Sequence, residues 1–178
     1  MATFDALIDL DGNGRPIYGD SPFRVIKDVT FTGNNTTVVV PIFTVTGAVM
    51  VTRLWGVITT DLGSNHTAAS WRINDQTAQV YLTAVGGTTL SAKKAGSVII
   101  KKDLVAAALT LVDNVAGAIS EPTTLETMLF SPIMLVKKTA ALTQIEYRYA
   151  TTNAPTSGAM RFYVAYYPLS DDGVIATA

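Results

Sequence analysis

Short runs of alternating apolar and polar residues fill the chain, and clusters of turn-forming residues separate them. In the clearest run, residues 158–169, one face carries Met160, Phe162, Val164 and Tyr166, and the other carries Arg161, Tyr163 and Tyr167. Alternation with a period of two is typical of a β-strand, because successive side chains point to opposite sides. The large apolar face predicts a core strand that packs against a second sheet. Pro168 cannot donate a ladder hydrogen bond, so we expect the strand to end there and residues 169–178 to form a surface tail.

The same pattern predicts further strands. They lie at residues 24–31, 36–45, 47–60, 68–74, 78–83, 97–101, 133–137 and 143–149. Residues 47–60 are mostly apolar on both faces, which predicts a second core strand. In residues 143–149 the side chains of Ile145, Tyr147 and Tyr149 alternate with polar ones, as in an antiparallel strand with one wet face. Pro41 indicates an edge strand or a bulge.

Short strands with turn signals at short intervals predict an all-β fold, a β-sandwich of jelly-roll type. Residues 103–112 fit either a short helix capped by Asp103 or a buried strand, and both alternatives stay open. Residues 113–131 predict a loop with one helical turn near 124–130. A chain of 178 residues can bury one sizeable core. We therefore expect one β-sandwich domain at residues 25–178 with a short C-terminal tail, preceded by an N-terminal arm at residues 1–24.

The N-terminal arm is rich in turn formers but has a few apolar anchors, Phe4, Leu7 and Ile8. Arms of this composition are usually held against a surface, their own or a neighbour's. Within the arm, the residues Asp9, Asp11, Asn13 and Asp20 repeat the spacing of a calcium-binding loop. Pro16 interrupts that loop, a shorter Asp replaces its bidentate Glu, and neither flank predicts a helix. The pattern favours a plain turn-rich arm, with calcium binding as the alternative.

Composition excludes several kinds of chemistry. The chain has 13 basic and 14 acidic residues, and a net charge of −1 predicts no attraction to nucleic acid or to an anionic membrane. It has no cysteine, which excludes disulfides and thiolate catalysis. Its one histidine, His66, follows Gly63, Ser64 and Asn65, and we expect such a loop histidine to lie on the surface. One histidine without cysteine argues against a zinc enzyme and against a histidine-activated nucleophile, so we expect a protein that is not an enzyme and uses no cofactor.

Two sets of exposed residues are candidates for protein contacts. Arg161, Tyr163 and Tyr167 are of types enriched at protein interfaces, although ordinary packing on a sheet surface would explain them equally well. Three lysine pairs at 93–94, 101–102 and 137–138 could form a basic docking patch, but solvated strand ends explain them more simply.

Residues 47–60 and 161–174 resemble the small structural proteins of tailed bacteriophages, a group that includes β-sandwich capsid decoration, or cement, proteins. The resemblance implies a virion protein that binds the outer face of an assembled capsid, with the major capsid protein as its partner. It also implies homotrimers at local three-fold positions that join neighbouring shell subunits. On this hypothesis Phe4, Leu7 and Ile8 contact the capsid or a sister subunit. Arg161, Tyr163 and Tyr167 then lie at a homotypic interface.

Two other functions stay open at the level of the sequence. A tail, baseplate or head-fibre component would use the same sandwich, usually with a fibrous repeat or receptor-binding loops. A carbohydrate-binding module or glycan hydrolase would need a cleft lined by tryptophan and carboxylates. The chain has only two tryptophans, Trp55 and Trp71, and the strand pattern predicts that both are buried.

Overall fold

The computed structural model describes residues 9–10, 16–17, 22–32, 37–76, 78–86, 88–101, 110–112, 132–138, 141–151 and 157–178. The secondary structure in these residues consists of strands, without a helix. The strands are β1 (Asp9–Leu10), β2 (Pro16–Ile17), β3 (Phe23–Thr30), β4 (Thr37–Thr46), β5 (Ala48–Thr60), β6 (Thr67–Asn74), β7 (Gln79–Tyr81), β8 (Val98–Ile100), β9 (Thr110–Val112), β10 (Ile133–Val136), β11 (Thr143–Ala150), β12 (Ala159–Pro168) and β13 (Val174–Thr177). The all-β prediction is confirmed.

Two antiparallel sheets form the body of the protein. The six-stranded sheet has the order β3-β12-β5-β8-β9, and β10 also pairs with β5. The five-stranded sheet has the order β13-β4-β11-β6-β7, while β1 and β2 form a separate two-stranded ribbon. β12 pairs with β5 over most of the length of both strands. On β5, β8 pairs with residues 55–57 and β10 with residues 48–51.

The core lies between the two sheets. From β12 it receives Met160, Phe162, Val164 and Tyr166, and from β11 it receives Ile145, Tyr147 and Tyr149, all buried. The ring centroids of Tyr147 and Phe162 lie 5.0 Å apart, so the inner faces of the two sheets are in direct contact. The predicted inner faces of both strands are confirmed, and this packing is that of a β-sandwich. The jelly-roll connectivity and the extended arm stay predictions.

In the described strands the pairing shifts register at four places, and two of these bulges bear on the sequence predictions. Along β5 the register with β12 shifts between Ala165 and Tyr166, and Thr52 is the extra residue. As a result Val49 and Val51 point inward before the bulge, and the inward set after it is Leu54, Gly56 and Ile58. A strict period of two places Val51 and Trp55 on the same side, and the bulge separates them. The second bulge lies in β4 beside Pro41, as that proline indicated.

The predicted C-terminal tail is wrong. After a turn at residues 170–173, Val174–Thr177 forms β13 and pairs with β4, and Ile175 is buried in the core. The turn packs over Gly47, which joins β4 to β5 with a φ of 59°. A Cβ at Gly47 would collide with the side chains of Ser170 and Asp172. The chain end therefore belongs to the sandwich, because β13 covers an edge of β4 that would otherwise be open.

Several sequence predictions lie outside the described residues. Among them are the arm anchors Phe4, Leu7 and Ile8, the side chains of the candidate calcium loop, and the loop at 113–131. Within the ambiguous segment 103–112, Thr110–Val112 is a strand, and the rest lies outside the described residues. No helix long and apolar enough to cross a membrane occurs in the part of the chain that the structure describes.

Candidate interaction surface

Buried aromatic rings pack around His66 in the core beneath the protein's outer surfaces. His66 is fully buried, so the expectation of a surface histidine is wrong. Its ring stacks on Tyr149 with centroids 4.3 Å apart, and the Phe31 ring lies at 65° to it with centroids 4.8 Å apart. His66 Nε2 lies 2.8 Å from the Tyr147 hydroxyl, in a hydrogen bond. Burial lowers the pKa of His66 to about 3, so the ring is neutral near pH 7 and works as a packing group.

The outer face of the six-stranded sheet carries a row of large apolar side chains across four strands, and we call this whole outer side the aromatic face. The row consists of Ile26, Tyr163, Trp55 and Ile100, which are cross-strand neighbours. Tyr163 and Trp55 stack with ring centroids 4.9 Å apart and ring planes at 2°. All four side chains keep contact with solvent, and Ile26 is 40% exposed. A sheet face of this kind is suited to a protein contact.

An ion pair lies beside this row. Arg161 Nε and Nη2 donate hydrogen bonds to the two carboxylate oxygens of Asp28, at 2.7 and 2.9 Å. The hydrogen bonds from Arg161 lower the pKa of Asp28, and the carboxylate in turn raises the pKa of Arg161. Both side chains remain well exposed, so solvent screens the pair. The pair fixes the direction of Arg161 and neutralises its charge.

A second row on the aromatic face holds two further arginines. Arg24, Ala165 and Arg53 are cross-strand neighbours on β3, β12 and β5. Both arginines are exposed, and neither forms a hydrogen bond or an ion pair with any residue that the structure describes. Ala165 between them is small and buried, so the middle of the row is lower than its two ends.

The third row completes the aromatic face. Tyr167, Met50 and Met134 are cross-strand neighbours on β12, β5 and β10. Met134 is 73% exposed, and Val136, which points the same way two residues later, is 67% exposed. Aromatic and apolar rows therefore flank the arginine row on both sides.

The outer face of the five-stranded sheet, which we call the polar face, is built differently. Arg72 Nε donates to Glu146 Oε2 at 2.5 Å, and Asn74 donates to Glu146 Oε1 at 2.9 Å. Arg72 Nη1 donates to the side-chain oxygen of Gln79 at 2.6 Å. Arg72 and Glu146 are both buried, so this network satisfies its polar groups internally. Arg148 also lies on this face and donates to the Thr37 hydroxyl at 3.4 Å.

The structure brings three of the predicted interface residues together. Arg161, Tyr163 and Tyr167 point to the same side of β12 and belong to the aromatic face. The other three, Phe4, Leu7 and Ile8, lie outside the described residues, so their predicted contact stays a prediction.

The sequence interpretation missed the arginine row and pointed to lysines instead. Of those lysines, Lys94 pairs with Asp61 at 2.8 Å, Lys138 pairs with Asp75 at 3.4 Å, and Lys101 is buried. The alternation does place Arg53 beside Trp55, but the pairing with Arg24 depends on strand register. Register brings residues that are far apart in the chain opposite each other, and the alternation within one strand does not predict it.

Trp71 and one face of Trp55 are closed to a sugar ring. Trp71 is fully buried, as predicted, but the prediction that Trp55 is buried is wrong, because the bulge in β5 turns it to the outer face. There Tyr163 covers one face of the half-buried Trp55 ring. In the described residues no three His, Asp or Glu side chains come together in a group that could hold a metal ion.

Comparison with protein-family models, with curated proteins and with solved structures gives no significant match to the chain.

Proposed function

We propose that the protein is a structural component of a tailed bacteriophage virion, which binds the outer face of the capsid and cements neighbouring major capsid subunits. The observation that carries the binding role is the aromatic face, where aromatic and aliphatic side chains remain partly in solvent across β3, β12, β5 and β10. Large apolar surface that stays exposed in a folded protein commonly marks a site of protein contact. The capsid as the partner rests on the sequence resemblance of residues 47–60 and 161–174.

In this mechanism the protein acts by burying apolar surface across subunit boundaries. Every copy that binds the assembled shell and not its separated subunits stabilises the shell by mass action. Stable interfaces bury about 1,200–2,000 Å² in total, and a sheet face can supply a contact of that order. We propose a homotrimer in which Arg161, Tyr163 and Tyr167 contact a sister subunit. The N-terminal anchors Phe4, Leu7 and Ile8 would contact the capsid or a sister subunit.

The geometry of the tryptophans supports a protein partner over a glycan. A sugar ring stacks on an open aromatic face, whereas Trp71 lies in the core and Trp55 is stacked on Tyr163.

Co-sedimentation with purified phage heads that lack the protein tests this function. We expect the wild-type chain to sediment with heads and Tyr163→Asp to lose most of the binding, because a charge inside the apolar contact between sister subunits would break the homotrimer that binds the heads. The matched control is Gln79→Asp at the exposed edge of the polar face, which should bind as the wild type does. Sedimentation with isolated tails but not heads would support a tail component instead. Binding to a glycan array without binding to heads would support a carbohydrate-binding module.

The role of the arm has its own test. A variant without residues 2–20 should fold and occupy fewer sites on the heads than the full chain. Unchanged occupancy would remove the arm from the contact while leaving the aromatic face in place.

A further inference from the structure

The arginine row of the aromatic face, Arg24, Ala165 and Arg53, has chemistry that the apolar contact does not use. Two exposed guanidinium groups stand on this face, and neither pairs with a carboxylate of the described residues. Each guanidinium offers five N–H donors in a planar fork that matches a carboxylate. The row therefore retains a donor capacity that no described residue satisfies.

Two other arginines of the sandwich pair with a carboxylate of the chain itself. Arg161 binds both oxygens of Asp28, and Arg72 binds Glu146 and Gln79. In each case the acid stands directly opposite on the neighbouring strand. At Arg24 and Arg53 the residue opposite is Ala165, which can accept nothing through its side chain. No described residue supplies an acid at this place, so an acid that pairs these two arginines would have to come from beyond the described residues.

The spacing suits one carboxylate. Two strand-to-strand steps separate the Cα atoms of Arg24 and Arg53 by about 10 Å, and both flexible side chains can converge over the low centre at Ala165. Along the strands, Tyr163 and Trp55 stand on one side of this centre, and Tyr167 and Met50 on the other. If an acidic side chain of a partner binds here, the residues before and after it in the partner would contact these apolar side chains.

We propose that the arginine row binds an acidic side chain of the protein partner, so that the partner's docking segment carries Asp or Glu between apolar residues. The proposal rests on the proposed function and specifies the chemistry of the surface that the protein recognises. Charge complementarity selects an acidic partner, and the flanking apolar rows select a protein segment over a polyanion. A nucleic-acid strand would present a line of phosphates, whereas this site offers two arginines in a chain of net charge −1.

A pair of blocked peptides provides the probe, Gly-Leu-Glu-Leu-Gly and its neutral counterpart Gly-Leu-Gln-Leu-Gly. The Nε–H resonances of Arg24 and Arg53 in the full chain should shift saturably with the acidic peptide, and hardly at all with the neutral one. The Nε–H of Arg161 should not respond, because it already binds Asp28. In the double variant Arg24→Gln, Arg53→Gln we expect affinity for the acidic peptide to fall about tenfold or more, because two charge-assisted contacts are lost.

The matched control removes the same two positive charges elsewhere. Lys94→Gln, Lys138→Gln changes exposed residues off the aromatic face that pair with Asp61 and Asp75, and it should bind the acidic peptide as the wild type does. Equal binding of both peptides, or an equal loss in the lysine control, would overturn the arginine row as a site.

Binding to the peptide tests this inference, and binding to the phage heads tests the proposed function, so the two can fail independently. Peptide binding at the row together with no binding of the wild type to heads would keep the row and remove the capsid role. If instead the wild type binds heads and Arg24→Gln, Arg53→Gln binds them equally well, the capsid role stands and the arginine row is not part of it.

Discussion

The two outer faces of the sandwich contain the same motif, an arginine opposite a carboxylate on the neighbouring strand, in two different environments. On the polar face Arg72 and Glu146 lie 2.5 Å apart with side chains 10% and 4% exposed. On the aromatic face Arg161 and Asp28 lie 2.7 Å apart with side chains 45% and 63% exposed. Similar distances thus accompany opposite degrees of burial. Burial, and not the length of the bond, decides how strongly the fold depends on each pair.

The same contrast extends to the rest of each face. On the polar face Asn74 and Gln79 complete the hydrogen bonds of Glu146 and Arg72, so that network needs no outside partner. On the aromatic face Arg24, Arg53 and Met134 are exposed, and the two arginines are unpaired among the described residues. The Arg72–Glu146 network is complete within the chain, although Ser70 Oγ and Arg148 Nη1 on the same face are buried without a partner among the described residues. The aromatic face gains most from contact with a second molecule.

Breaking the buried pair should have the largest effect. In Glu146→Gln the guanidinium of Arg72 would remain buried without a counter-charge, because Gln is neutral. Loss of one partner of a buried ion pair typically costs about 3–5 kcal/mol. We expect a loss of that order in the free energy of unfolding, measured by urea denaturation at pH 7.

The matched substitution on the aromatic face is Asp28→Asn. Both groups of that pair are solvated, so the urea midpoint should stay close to that of the wild type. Equal losses in the two variants would contradict the contrast between the faces, because solvent exposure would then have no influence on the pair.

The inner faces could be predicted from the sequence better than the outer ones. Phe162, Val164 and Tyr147 follow a period of two, and hydrophobic burial follows that period directly. β13 was missed because Val174–Thr177 is short and follows a turn with two aspartates, so its strand character depends on pairing with β4. His66 was misplaced for a similar reason, since Phe31, Tyr147 and Tyr149 that enclose it are distant in the chain.

The candidate surface was predicted only in part. Arg161, Tyr163 and Tyr167 share a face because they are two, four or six residues apart on one strand, which the sequence displays. Which residues stand opposite them depends on register and on the bulge at Thr52, and both are properties of the folded sheet. The row formed by Arg24 and Arg53 therefore emerges only from the structure.

A fall in pH should lower the stability of the core and leave binding at the aromatic face nearly unchanged. His66 lies between the sheets with a pKa lowered to about 3, below its ordinary value of 6.5, so the unfolded chain binds its proton first as the pH falls. The stabilisation is complete above pH 6.5 and declines from there towards pH 3. The groups packed around the ring, Phe31, Tyr147 and Tyr149, carry no charge in this range. We expect a loss of about 2 kcal/mol at pH 5 relative to pH 7 from this residue, measured by urea unfolding at both values.

The control is His66→Phe, which keeps an aromatic ring and removes the only histidine of the chain. Its stability should fall less between pH 7 and pH 5, by about those 2 kcal/mol. Peptide binding by the folded wild type should change little over the same range, because the glutamate of the acidic peptide, with an ordinary pKa of about 4.3, stays mostly ionised at pH 5. Identical pH slopes for His66→Phe and the wild type would contradict the role given to the buried ring.

The smallest expected effect lies within the aromatic face. A double-mutant cycle with Trp55→Leu and Tyr163→Leu should give a coupling of about 0.5–1.5 kcal/mol in the free energy of unfolding, as stacked aromatic pairs do. The control cycle combines Trp55→Leu with Tyr167→Leu. Tyr167 stands in a different row, so its coupling with Trp55 should be close to zero. Equal coupling in both cycles would mean that the rows are not separate units. If its coupling is as small as expected, the Trp55–Tyr163 stack contributes little to the free energy of unfolding. If Tyr163→Asp also abolishes head binding, the same contact supplies most of the binding. That combination separates the aromatic face, which serves a partner, from the polar face, which serves the chain itself.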